Sequence, residues 1–167
     1  MEHVLTILRS ILAANVTVTK DDNTTIANVK FITDWYTDDV MQTVDAIVTV
    51  GLLDMPVIGS GIGDPNQDYT PIVLVNVWTA TKYDTAGNQI ITSDFIRWKL
   101  CQAIDHAVKL NAKQPNYGTP SQPSHIQDMH VRDVKDLDDP QHTPYPLNRT
   151  EFQVVVFFQA PDLTEYA

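Results

Sequence analysis

Cys101 and His106 are the pair in this chain that most resembles a nucleophile and its base. A thiol attacks as its thiolate, and a neighbouring imidazole that takes the proton activates it. Both residues fall in a segment of helical periodicity, where five steps of about 100° place them about 140° apart around the axis. Cys101 therefore reads as a structural cysteine. His125, Asp128 and His130 carry ligand-type side chains at close spacing. On an extended strand side chains alternate faces, so the two histidines diverge and only Asp128 and His130 share a side. Two ligands do not make a zinc site, and His142 joins them only if its loop folds back. Gly59, Gly61 and Gly63 look like a phosphate-cradling loop, but the dinucleotide spacing is missing and no Lys-Ser/Thr follows. Pro65 and Asp68 also stand where a helix would have to start. Asp133, Asp136, Asp138 and Asp139 lack the calcium-loop pattern and are interrupted by Lys135, so they read as a solvated edge. No catalytic residue, cofactor site or metal site is expected.

Composition narrows the function classes further. A chain of 167 residues, 43% of them hydrophobic, has the material for a single domain with a core. Its 21 acidic residues against 11 basic give a net charge of −10. Gripping a duplex takes clustered Lys and Arg, so that class is disfavoured. The same negative field would repel DNA from a surface that DNA passes. Cys101 is the only cysteine, which rules out an intrachain disulfide. The start, Met1-Glu-His-Val-Leu, lacks the positive segment of a signal peptide. No window approaches the roughly 20 apolar residues of a membrane helix. The expectation is a chain made and kept inside a cell, or packed into a particle assembled there, with no membrane partner.

The elements that must position these residues follow from periodicity. Val4, Leu5, Leu8, Ile11 and Leu12 repeat at helical spacing over 2–14, with Asn15 as a stop. Residues 16–30 are polar, with a turn at Asp21-Asp22-Asn23, and 31–36 read as a short extended piece whose Trp35 and Tyr36 pack or serve as a contact. Residues 44–53 read as a strand, with Val44, Ala46, Val48 and Val50 on one face and Asp45 and Thr49 on the other. A loop is expected at 54–70. The strand at 71–81 is apolar on both faces except at Asn76 and Thr79, as befits a central, doubly covered position. A turn at 83–89 returns through Ile90 and Ile91. Thr92 or Ser93 can then cap a helix at 93–112. Its stripe is Ile96, Leu100, Ala103, Ile104 and Ala107, widened by Cys101 and Val108. After a loop at 113–125, residues 126–137 form a strand charged on both faces, which suits an edge. A second loop, 138–146, leads to the last strand, 149–160. One of its faces holds Phe152, Val154, Val156, Phe158 and Ala160, and the other Arg149, Glu151, Gln153, Val155 and Phe157.

The fold class is thus α+β: one domain over 1–167, mainly an antiparallel sheet, with a central amphipathic helix packed on it and an N-terminal helix. The order helix–strand–strand–helix–strand–strand, carried by Pro71–Ala80, the helix from Ser93 and Arg149–Ala160, resembles that of the tail-terminator and tail-completion (neck) proteins of tailed bacterial and archaeal viruses. The resemblance implies a virion structural protein that forms a ring, usually of six copies, on the end of the tail tube. Its partners would be other copies of itself, the tail tube protein and the head–tail connector. DNA would pass through the lumen without specific binding. The ring would be assembled in the host cytoplasm and localised in the neck of the virion. Val155 and Phe157, an apolar pair needing cover, join Trp35 and Tyr36 as candidate subunit contacts. The competing classes are a small intracellular α+β enzyme or ligand-binding domain with a pocket near residues 54–70, and an adaptor docking partners on a strand edge.

Overall fold

A computed structural model describes residues 2–54, 56–58, 67–112, 126–143 and 146–160. The elements run α1 (Glu2–Asn15), β1 (Val29–Ile32), α2 (Asp38–Thr43), β2 (Ala46–Asp54), β3 (Val57–Ile58), β4 (Gln67–Tyr69) and β5 (Ile72–Ala80). They continue with β6 (Lys82–Tyr83), β7 (Gln89–Ile91), α3 (Ser93–Asn111), β8 (Ile126–Asp136) and β9 (Leu147–Ala160).

The fold is α+β, with helices packed on a mostly antiparallel sheet. β2 pairs with β5, β5 with β9 and β9 with β8, all antiparallel, while β1 joins β2 in parallel. The registers Tyr69↔Phe158 and Ile72↔Val155 set β4 and β5 end to end along one side of β9. β8 pairs with the same stretch of β9 and so occupies its other side. Likewise Asp54↔Ile72 and Val57↔Tyr69 continue one hairpin, in which β2 and β3 form one arm and β4 and β5 the other. Residues 54–70, expected as a loop, therefore include paired strand at 57–58 and 67–69. Period-2 patterning gives no warning of this, because strands of two and three residues are shorter than any period worth counting. β5 lies between β2 and β9, as its two apolar faces require.

One face of the sheet carries both long helices. α1 buries Val4, Ile7, Leu8, Ile11 and Leu12, and α3 buries Ile96, Leu100, Ile104, Ala107 and Val108. They meet Ala46, Val48, Val50, Val73, Val75, Val77, Phe152, Val154 and Val156 from the alternating inward positions of β2, β5 and β9. Ile126 and Met129 of β8 complete this core. Thr92 caps α3 by position but makes no side-chain cap bond. The carboxylate of Asp21 accepts instead from the Thr92 amide, at 3.0 Å, and from its hydroxyl, at 2.6 Å. Lys99 holds the same turn onto α3, donating to the Thr19 hydroxyl and to Asn23 Oδ1, both at 2.7 Å.

The other face carries a smaller core. Val44, expected on the strand beside Ala46, precedes β2 and turns to this side. There it joins Met41, Ile47, Trp78, Ala80 and Leu147, with Ile32, Tyr36 and Val40 at the margin. Asp45 is buried with its carboxylate on the Asn28 amide, at 2.7 Å, and on Lys20, at 3.2 Å.

Candidate interaction surface

Directly opposed residues of adjacent strands share a face, so the pairing defines the side of the sheet away from α1 and α3. Ile47, Trp78 and Arg149 form one row across it, Thr49, Asn76 and Glu151 the next, then Gly51, Leu74 and Gln153. Ile72, Val155 and His130 extend the series, and Asp128 stands opposite Phe157. A methyl group added at Gly51 would meet none of the described residues within 4 Å, so among them this part of the face is open.

At one end the face is closed by aromatic packing. The Trp78 indole, buried, donates to the hydroxyl of buried Thr49 at 3.2 Å. Tyr36 stacks on Trp78 with ring centroids 4.8 Å apart, and Trp35 meets it edge-on at 5.5 Å. The Arg149 guanidinium lies 4.9 Å from the Trp78 ring and 5.2 Å from the Trp35 ring. It also donates to Asn76 Oδ1 at 2.9 Å and to Glu151 at 2.7 Å. Arg149 thus spends its charge inside the cluster, as a stacked and hydrogen-bonded cation. Trp35 keeps 56% of its surface exposed.

At the other end Ile72, Leu74 and Val155 are half-buried and Phe157 is 36% exposed. His130 packs against Phe157 with ring centroids 6.0 Å apart. All four candidate contact residues therefore lie on one face, with Trp35 and Tyr36 over Trp78 at one end and Val155 and Phe157 at the other. Tyr36 is mainly a packing residue, since its ring lies on Trp78 and its hydroxyl donates to Asp38.

Sequence reasoning missed α2, which seals the aromatic end through Met41. The signal was present: Thr37 at the N-cap, Asp38 and Asp39 in the first turn, and Val40, Met41 and Val44 at helical spacing. His142 was also passed over as a packing residue. Its Nε2 lies 2.8 Å from Asp38 Oδ1, and its ring meets Tyr36 edge-on at 6.1 Å. The Tyr36 hydroxyl, and after it His142, hold the Asp38 carboxyl below the usual carboxylate range.

Among the described residues the reactive side chains do not assemble. Cys101 is half-buried, and burial pushes its thiol up, away from the thiolate a nucleophile needs. His106 is exposed on the helix. Asp128 and His130 gain no third ligand, and among the described residues no group of three metal-ligating side chains is found. His125 and the three glycines at 59, 61 and 63 lie outside the described residues. The acidic run is largely paired. Asp133 meets Lys135 at 3.0 Å, Asp136 accepts from Thr150 at 2.6 Å and Asp138 meets Arg97 at 2.5 Å. An open groove of about 570 Å³ runs between the end of α3 and β8, lined by Asp105, Lys109, Asp128, Met129, His130 and Arg132 among others. Asp105 and Lys109 neutralise each other across 2.5 Å. No helix of the described residues is long and apolar enough to cross a membrane.

Compared with known proteins, the chain matches no family model and no curated sequence.

Proposed function

We propose that this chain is a structural subunit of the neck or tail end of a tailed virus. It forms a ring that terminates the tail tube and joins it to the head connector, most simply with six copies. The observation that carries this reading is the half-open sheet face, where the described residues leave Ile72, Leu74 and Val155 half-buried and Phe157 and Trp35 exposed. A rigid exposed tryptophan beside a stacked arginine is the residue chemistry of interface anchors. One patch meeting a different patch on the next copy closes into a ring when the rotation allows it. A net charge of −10 per copy suits a lumen through which DNA slides. The long elements α1, β2, β5, α3, β8 and β9 keep the helix–strand–strand–helix–strand–strand order of the resemblance, with β1, α2 and four short strands added between α1 and α3, and this supports the same assignment. An enzyme or ligand-binding domain with a pocket near residues 54–70 draws no support from the described residues of that segment, of which 57–58 and 67–69 are paired strand.

The test is the protein's position in an assembled particle together with its mass in solution. The expected result is a ring at the head–tail junction. Phe157→Asp should abolish the ring while leaving the far-ultraviolet circular dichroism of the chain unchanged. Labelling on the capsid shell, or absence from the particle, overturns the reading.

A further inference from the structure

The six-residue helix α2 and its flanks lie across the aromatic end of the open face as a strap. Each end of the strap is pinned by a titratable side chain from elsewhere in the chain. At its start, Asp38 is held by His142, a contact between residues 104 positions apart. At its end, the Lys82 ammonium donates to the carbonyls of Met41, at 2.6 Å, and of Val44. Between the pins, Met41 and Val44 cover Ile47, Trp78 and Leu147. Lifting the strap would uncover this second core beside the stretch from Leu74 to Phe157 on the same face.

We propose that this strap is a pH-sensitive cover, fastened when His142 is charged and loosened when it is neutral. An imidazole is the side chain whose charge changes across mildly acidic to neutral pH. Among the described residues, the ionisable groups facing His142 are Asp38, Asp139, whose carboxylate lies 3.9 Å from Nδ1, and Tyr36, whose hydroxyl shares Asp38 Oδ1. Two carboxylates and no cation therefore surround it, so protonation strengthens the pin at Asp38 by adding charge to an existing hydrogen bond. Lys82 faces Asp45 and Lys20, and burial pulls its ammonium below the usual lysine range. His142→Gln and Asp38→Asn both leave the Lys82 contacts at the C-terminal end of α2 untouched, so a step lost in those variants belongs to the pin at Asp38. Release of the strap matters for assembly only if the proposed ring uses this face.

Hydrogen-exchange protection factors of the α2 amides, measured on the isolated chain from pH 5 to 8, test the cover independently of any ring. In the wild type, protection should fall about two- to five-fold as pH rises through the imidazole range, the size expected for a partly exposed ion pair. His142→Gln should remove the step, leaving low protection at both ends. Asp38→Asn should do the same while retaining His142, which separates loss of the pair from loss of the ring contact with Tyr36. A flat profile in the wild type, or a step that survives in either variant, overturns the proposal.

Discussion

Two buried threonines give a sharp test of the packing described above, because the same substitution should move stability in opposite directions. Thr79 is fully buried on β5, and its hydroxyl oxygen has no hydrogen-bond partner. Thr49 is 2% exposed on β2, and its hydroxyl accepts the Trp78 indole N–H at 3.2 Å. Valine keeps the β-branch and nearly the volume of threonine while replacing the hydroxyl with a methyl. A buried polar group without a partner costs about 1–3 kcal/mol. Thr79→Val should therefore stabilise the chain by about 1 kcal/mol, the lower end allowing for a slightly larger group in a packed core. Thr49→Val instead strands the Trp78 N–H and should destabilise by about 1–3 kcal/mol. Urea unfolding followed by far-ultraviolet circular dichroism at fixed protein concentration reads both. With a slope of about 2 kcal/mol/M, a 1 kcal/mol change shifts the midpoint by about 0.5 M. If Thr79→Val lowers the midpoint, or both variants shift it the same way, the hydrogen-bond assignment at these two positions is wrong.

Other perturbations follow from the same geometry. Leu100 is fully buried between α3 and the sheet, so Leu100→Ala should cost about 2–5 kcal/mol in the same urea assay; a loss below about 1 kcal/mol would remove it from the core. Acid should destabilise through carboxylates that the fold holds in charged form. The carboxyls of Asp22, Asp38, Asp84 and Asp133 are all lowered, chiefly by bonds from Thr25, Tyr36, Asn88 and Lys135 respectively. A depressed folded-state pKa gives stability that is present above the unfolded value of about 3.9 and lost as pH falls through the folded values. Thermal midpoints should therefore fall steadily from pH 4.5 to 2, and a midpoint that rises over that interval would contradict the assignment.

The strongly periodic elements were legible from the residues alone. The α1 stripe buries Val4, Leu8, Ile11 and Leu12 and the α3 stripe Ile96, Leu100, Ile104, Ala107 and Val108, with Leu5, Cys101 and Ala103 partly buried at their margins. β5 takes the central place that its two apolar faces indicate, but its expected double cover is incomplete, because Ile72 and Leu74 stay half-buried. The split of β9 into a core face and a face led by Arg149 was equally readable, because alternation over many residues leaves one register that works. What stayed hidden was short or relational. β1 is four residues inside a polar stretch and is a strand because β2 offers it an edge. β3 and β4 exist because the β2–β5 hairpin continues past Pro56 and Pro71. Asp21 as the cap of α3, and His142 as the partner of Asp38, join positions 71 and 104 apart. Of the candidate contacts, Val155 and Phe157 could be read from alternation. That Trp35 and Tyr36 share their face could not, because it depends on where Trp78 meets the loop before α2.

The two sheet edges bear on which surface a ring would use. Among the described residues β8 pairs only with β9, which makes it an edge strand of the sheet. Yet its ladder is broken by register shifts between Ile126 and Asp128 and between Val131 and Asp133, and it exposes His130, Arg132, Lys135 and Asp136. Bulges and charges of this kind are the devices by which soluble proteins stop edge-to-edge pairing. At the opposite edge β1 offers four residues, with Lys30 exposed in their midst. Neither edge presents the long, regular, uncharged backbone that continuing a sheet into a neighbour requires. The apolar surface is instead concentrated on the face between them, where Leu74, Ile72, Val155 and Phe157 run in adjacent rows beside an open Gly51. Contact between copies through that face buries apolar area without competing with protected backbone. The proposed ring would therefore be held by side-chain packing on the sheet, with the edges left to solvent.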